Sequence, residues 1–262
     1  MSLISKRYLL SRTKMLFFLN ELIKFEDPGS ASLYIFPRST VSEIEDLLAK
    51  IEKKPFPDEL IQVITKSKSG TVLFWSKERK YLILPPLPLR ESKYYDGYVT
   101  QPLQKLIEMD WRIGLILVHL GTYAIGICQG ENILSSKVGT GLIHGRHKKG
   151  GSSQQRFQRR RQKQVQEFLD RVCTHIQRQF EPQMKQLDYI VYGGPYQTIL
   201  QLQKRCSFLK SLSDHVFLMM DVPALRQNVL EATIHRIWFS SIIECHEDQF
   251  NEVHLTGVAV DR

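Results

Sequence analysis

Residues 112–139 read RIGLILVHLGTYAIGICQGENILSSKVG. Three short apolar runs (112–120, 123–129 and 133–139) are separated by Gly121-Thr122 and by Gly130-Glu131-Asn132. Runs rich in Ile, Val and Leu, divided by glycine-bearing turns, predict a three-stranded antiparallel meander. The next segment, TGLIHGRHKKGGSS (140–153), holds Gly141, Gly145, Gly150 and Gly151 and no apolar period, which predicts a loop. Beyond it Phe157, Val165, Phe168, Leu169, Val172, Ile176 and Phe180 keep helical spacing. Ser152 or Ser153 is the natural N-cap of that helix and Pro182 its stop. LDYIVYGGP (187–195) predicts a buried strand and a Gly-Gly turn, 196–210 a short helix, HVFLMMDVP (215–223) another buried strand, and 224–246 a long final helix. The order describes a layered α/β domain with a mixed sheet.

Upstream, residues 8–25 and 42–66 read as helical, the second opened by a capping box at Ser42 and Glu45 and divided by Pro55 and Pro57. SLYIFP (32–37) predicts a short strand, and TVLFWS (71–76) with KYLILPP (80–86) a hairpin through Lys77-Glu78-Arg79. These elements predict a small N-terminal α/β domain over 1–100. The polar, tyrosine-rich stretch 90–104 marks the boundary, and a second domain follows over 106–262 with its loop at 140–154. The stretch 251–262 is too short to assign.

With 262 residues the chain can bury a real core, and 42% hydrophobic against 24% charged residues argues against wholesale disorder. Lys and Arg number 36 against 27 Asp and Glu, a net charge of +9, which favours polyanionic partners. Location says more than the total. Arg146, Lys148, Lys149, Arg156, Arg159, Arg160, Arg161 and Lys163 fall between His144 and Lys163, and no acid lies between Glu131 and Glu167. The rest of the chain is close to neutral. A solvated helix face is the plain reading of such a run, but solvated faces interleave acids to limit self-repulsion, and this one does not. A nucleic-acid phosphate backbone would neutralise it.

Cys128, Cys173, Cys206 and Cys245 show no CxxC spacing, which argues against a zinc knuckle, a thioredoxin-type site or a disulfide framework. The N-terminal stretch mixes charges into its apolar residues and reads as an amphipathic helix, not a signal peptide. The most apolar stretch, Ile113 to Cys128, is 16 residues long and broken by His119, Gly121 and Gly126, too short to span a bilayer. A cytoplasmic protein with no membrane partner is expected. GxSxG, GxxxxGK[ST], HExxH and GxGxxG are absent, so no small-molecule cofactor is expected. His144 and His147 form HxxH without a nearby Cys or carboxylate, and no metal is expected there. Gly193-Gly194-Pro195 reads as a turn, since no Lys follows it as in a phosphate loop.

HGRHKKGGSSQQRFQRRR (144–161) resembles the tip of the middle domain of archaeal and eukaryotic peptide-chain release factors, where a basic loop bearing GGQ leads into an arginine-rich helix. The resemblance covers roughly 108–247 and implies an RNase H-like mixed-sheet domain with a long basic loop-helix. This sequence departs at one point: Ser152 follows Gly150-Gly151, and the glutamine comes at Gln154. That G-x-x-Q pattern resembles the release-factor-like VLRF branch, which acts on peptidyl-tRNA stranded on large ribosomal subunits in ribosome-associated quality control. TVLFWS and LILPPLP resemble the segment before this domain in prokaryotic members. The zinc finger, ankyrin repeats and ATPase-binding helix of eukaryotic members are not visible.

The resemblance implies a peptidyl-tRNA hydrolase with Gln154, Gly150 and Gly151 at its catalytic loop. Arg146, His147, Lys148, Lys149, Arg156, Arg159, Arg160, Arg161 and Lys163 would bind RNA, with the large subunit, peptidyl-tRNA and ribosomal RNA as partners. The ester needs a placed water and a stabilised oxyanion more than a strong nucleophile. Glycines let the backbone approach closely, and a neutral carboxamide can orient water. Two other readings stay open: a nuclease that clips the tRNA 3′ end, and a non-catalytic RNA- or ribosome-binding module. Gln154, Gln155 and the loop backbone remain alternative catalytic elements. Ribosome docking is the role expected of the N-terminal domain.

Overall fold

The computed structural model describes residues 4–144, 153–222 and 228–245. The first unit's elements are β1 (Ile4–Leu10), α1 (Arg12–Leu22), β2 (Ala31–Ile35), α2 (Val41–Leu48), α3 (Asp58–Lys66), β3 (Thr71–Trp75), β4 (Lys80–Leu84) and β5 (Lys93–Asp96). The chain continues through α4 (Gln101–Glu108), β6 (Arg112–His119), β7 (Thr122–Gln129), β8 (Asn132–Thr140), α5 (Ser153–Phe180) and β9 (Tyr189–Gly193). It closes with α6 (Tyr196–Arg205), β10 (Val216–Met220), α7 (Val229–Ile237) and β11 (Ser240–Cys245). The class is α/β. Residues up to Leu103 join the strand beginning at Ser240 in one compact unit, and Gln104–Phe239 form the other.

The first unit holds an antiparallel sheet in the order β1-β11-β4-β3-β2-β5. Leu33, Ile35, Leu73, Trp75, Leu82 and Ile243 face α2 and α3, which insert Ile44, Leu48, Leu60 and Ile64. α1 lies on the other face, where Phe18 meets the edge of Tyr81 with ring centres 5.3 Å apart. The strands β2 and β3 are therefore buried on both sides. The capping box sits two residues earlier than the sequence suggested. Thr40 N–H donates to Glu43 at 2.7 Å, and Glu43 N–H donates to the Thr40 hydroxyl at 3.3 Å. Pro55 and Pro57 do divide the two helices, and Pro57 is the N-cap of α3. The stretch read as a boundary contains β5, which pairs with β2.

Two larger corrections share one cause. The expected helix over 8–25 is a strand followed by a helix starting only after Ser11. The expected final helix over 224–246 is α7 followed by β11, so the second domain does not run on through 240–245. β1 and β11 pair with each other: Arg7 stands opposite Ile243, and Tyr8 donates a 3.0 Å hydrogen bond to Glu244. No local period reports a partner more than 230 residues away.

The second unit carries the mixed sheet β10-β9-β6-β7-β8, with β10, β9 and β6 parallel and β7 and β8 antiparallel. This is the mixed-sheet α/β domain that the resemblance implied. The meander folds as read, with Leu115 opposite Gly126 and Ile127 opposite Ser135. α5 packs on one face, bringing Phe168, Leu169, Val172, Ile176 and Phe180 against Ile116, Val118, Ile125 and Ile127. Gly114 makes room for that helix: a Cβ there would stand 2.8 Å from the Phe180 ring. On the other face Leu230 of α7 lies at Gly126. β10 is half-buried, not buried as expected, because it is the outermost strand.

Cysteine reading also needs correction. Cys173 and Cys206 form a disulfide, with Cα atoms 5.4 Å apart, that ties α5 to the end of α6. Sparse cysteines exclude a framework, not one bridge. Cys128 and Cys245 are buried thiols pushed up to about 12 by desolvation, so neither is a ready nucleophile.

Candidate functional site

The base of the tip loop is clamped between the sheet and α5. Gly141 N–H donates to the Gly121 carbonyl at 2.8 Å, holding the end of β8 to the β6–β7 turn. Gly121 lies at φ +98°, where glycine carries no side-chain penalty. Ile143 turns into the core beside α5, while Leu142 is exposed. The His144 backbone then bonds to α5 through both its N–H and its carbonyl. Its N–H donates to Gln164 at 3.2 Å, and its carbonyl accepts from Arg161 Nε at 3.1 Å.

Arg161 thus differs from its neighbours. It is half-buried and directed at the loop base, while Arg156, Arg159 and Arg160 are exposed. Lys163 is exposed and 3.9 Å from Glu167, a solvated i,i+4 pair of little energetic worth. Gln154 is half-buried in the first turn of α5, and Gln155 is exposed. No acid occupies that turn, so the positive end of the helix dipole is uncompensated there. Phe157, read as part of the core stripe, is exposed; burial on α5 begins at Phe168. Gly150, Gly151, Arg146, His147, Lys148 and Lys149 lie outside the described residues, as does the N-cap candidate Ser152.

The sequence did not reveal a groove of about 900 Å³ between α5 and α6, lined by His119, Arg161, Gln162, Gln201 and Lys204 among others. Arg205 on its wall forms a bidentate pair with Asp170 at 2.9 and 2.7 Å, a second tie between the helices beside the disulfide. The signal was four glutamines on two helices, Gln162, Gln166, Gln197 and Gln201, too common a residue to single out. Among the described residues, no three His, Cys, Asp or Glu side chains gather as metal ligands would.

Residues 111–243 match the family described as the Actinobacteria/chloroflexi VLRF1 release factor. The chain belongs to this family. The match starts just before β6 and runs into β11, so it takes in the tip helix and the whole mixed sheet. Membership makes this a translation-related factor. Among curated relatives, peptide chain release factor subunit 1 of Aeropyrum pernix is 25% identical over 222 residues, 73% of this chain and 60% of its own length. The same factor of Methanocaldococcus jannaschii is 31% identical over 170 residues, 62% of this chain and 39% of its own. That of Methanosphaera stadtmanae is 28% identical over 168 residues, 62% and 40%. The VLRF1-family chain therefore spans about two to three fifths of these relatives. Among solved structures, an archaeal translation termination factor, aRF1, overlays with TM-score 0.35 at 20% identity, covering 87% of this chain and 73% of its own.

Proposed function

We propose that this protein is a peptidyl-tRNA hydrolase that frees nascent chains from stalled large ribosomal subunits. One observation carries most of the reading. In a release-factor family member, the first turns of α5 present Gln154 with exposed Arg156, Arg159 and Arg160, and no acid stands in the opening turn. Concentrated positive charge of this kind opposes folding until a polyanion neutralises it. Ribosomal RNA and the tRNA acceptor end are the partners assigned here, and the cytoplasm is the compartment. Among the described residues, no helix is long and apolar enough to cross a membrane.

The chemistry asked of the tip is modest. Water adds to the acyl carbon of the ester, the bond to the ribose oxygen breaks, and that oxygen takes a proton. The Gln154 carboxamide orients the water, and Gly150 and Gly151 let the backbone approach. N–H groups at the helix start face the developing oxyanion. Arg156, Arg159 and Arg160 hold phosphates, and Arg146, His147, Lys148 and Lys149 are assigned to RNA as well. Arg161 positions the loop base through its Nε.

The test uses purified large subunits carrying a labelled nascent chain on tRNA. Wild type releases the peptide and leaves the tRNA 3′ end intact. Gln154→Ala slows release by about 100-fold or more, the loss typical when a positioned transition-state donor is removed. A peptide that retains a 3′ nucleotide moves the assignment to a nuclease. Binding without cleavage leaves an RNA-binding module.

A further inference from the structure

We propose that the β8-side flank of α5 is a second RNA-backbone site, formed by Lys137, Arg171, His175 and Arg178, that takes a strand leading away from the tip. The proposal rests on the reading above only in assuming that the tip meets RNA.

Helical spacing puts the α5 members together. Arg171, His175 and Arg178 follow at intervals of four and three, so they share one face. Arg160 and Arg178 stand eleven residues before and seven after Arg171, and each falls within about 20° of it around the axis. Arg160, Arg171 and Arg178 therefore form a line about 27 Å long at about 1.5 Å per residue. Lys137 joins from the sheet. It pairs with Ile125, whose side chain packs in the core under α5, so Lys137 projects on the same side of edge strand β8. Tyr123 ties the two walls together: its ring stacks on His175 at 5.5 Å and 20°, and it covers Gly139. The cluster also abuts the base of the tip loop. A Cβ on Gly141 would stand 2.8 Å from the Arg171 guanidinium.

Asp170 pairs with Arg205 of α6, exposed Glu167 lies 3.9 Å from Lys163, and Glu181 accepts from Gln177 at 3.5 Å, so none of these carboxylates forms an ion pair with Arg171 or Arg178. Lys137, Arg171 and Arg178 are exposed, and among the described residues no ion pair neutralises them. His175 senses the resulting field: burial lowers its pKa first, then Lys137, Arg178 and Arg171 lower it further. Cations gathered without counter-charge favour a polyanion, and planar guanidinium forks match phosphate oxygens. Continuity with the basic tip favours an RNA strand over an acidic protein.

The test compares two full-length double variants that lose the same charge. Arg171→Ala/Arg178→Ala removes the flank; Lys185→Ala/Lys210→Ala removes two exposed lysines of the same unit. Binding to large subunits carrying peptidyl-tRNA, and to protein-free large-subunit RNA, is measured against KCl concentration. The flank variant is expected to bind about tenfold more weakly, with a log–log salt slope shallower by one to two, on both probes. Its melting temperature does not fall below the wild-type value, since removing uncompensated like charge relieves repulsion. Equal behaviour of the two variants overturns the proposal, as does an effect confined to the intact subunit, which points to a protein. If wild type releases no peptide but the flank effect persists, the hydrolase reading falls and the flank site stands.

Discussion

Arg161 sits in a run of three arginines, and nothing in the sequence separates it from Arg159 and Arg160. The fold does, because its Nε reaches the His144 carbonyl. Charge location was legible in the sequence; the direction of each side chain was not, since direction depends on where the loop base docks. Arg161→Ala should therefore speed hydrogen exchange and proteolysis around 141–144 while leaving the salt slope of RNA binding unchanged. Arg160→Ala should do the reverse and lower the slope by about one. His175 gives a second test at this scale. Its pKa lies below the ordinary 6.5 because burial, then Lys137, Arg178 and Arg171, disfavour its charge. The unfolded chain thus binds the proton more readily. This contribution to stability is whole above the unfolded value of 6.5 and is lost as pH falls from there through the lowered folded value. An NMR titration should find the lowered value in the free protein and a higher one with RNA bound. A value at or above 6.5 without RNA contradicts the cation cluster.

At the scale of elements, the meander was readable because each strand pairs with its sequence neighbour across a two-residue turn. β1 and β11 were not, because each completes its pattern only against the other. The α5–α6 layer was half legible: both helices were expected, and the bridge between them was not. The Cys173–Cys206 bond closes a loop of 33 residues, which stabilises by about 3–4 kcal/mol through the unfolded chain. Denaturant unfolding of Cys173→Ser, or of the reduced protein, should show a loss of that order. An unchanged midpoint and slope would mean that the bond contributes nothing in solution.

At the scale of the molecule, the polypeptide leaves the first unit near Leu103 and returns at Ser240 to supply β11, between β1 and β4. A fragment ending at Leu103 should not fold cooperatively, since β1 would lose its neighbour and β4 would expose an edge. Linking residues 239–245 back to that fragment should restore a cooperative melt. Cooperative folding of the short fragment alone would show that β11 is dispensable. The family relationship was visible in the tip motif and its flanks, because chemistry confined to a short loop leaves a local signature. The return of the chain was invisible for the opposite reason.

The claim that this tip hydrolyses an ester is tested most directly by running release in oxygen-18 water. Large subunits carrying a defined peptidyl-tRNA are mixed with wild type or Gln154→Ala, and the freed peptide is weighed by mass spectrometry. The expected product carries one heavy oxygen in its C-terminal carboxyl group, leaves the tRNA's terminal ribose intact, and forms at least about 100-fold more slowly with the variant. A peptide that keeps a nucleotide, or release that is equally fast with Gln154→Ala, would contradict it.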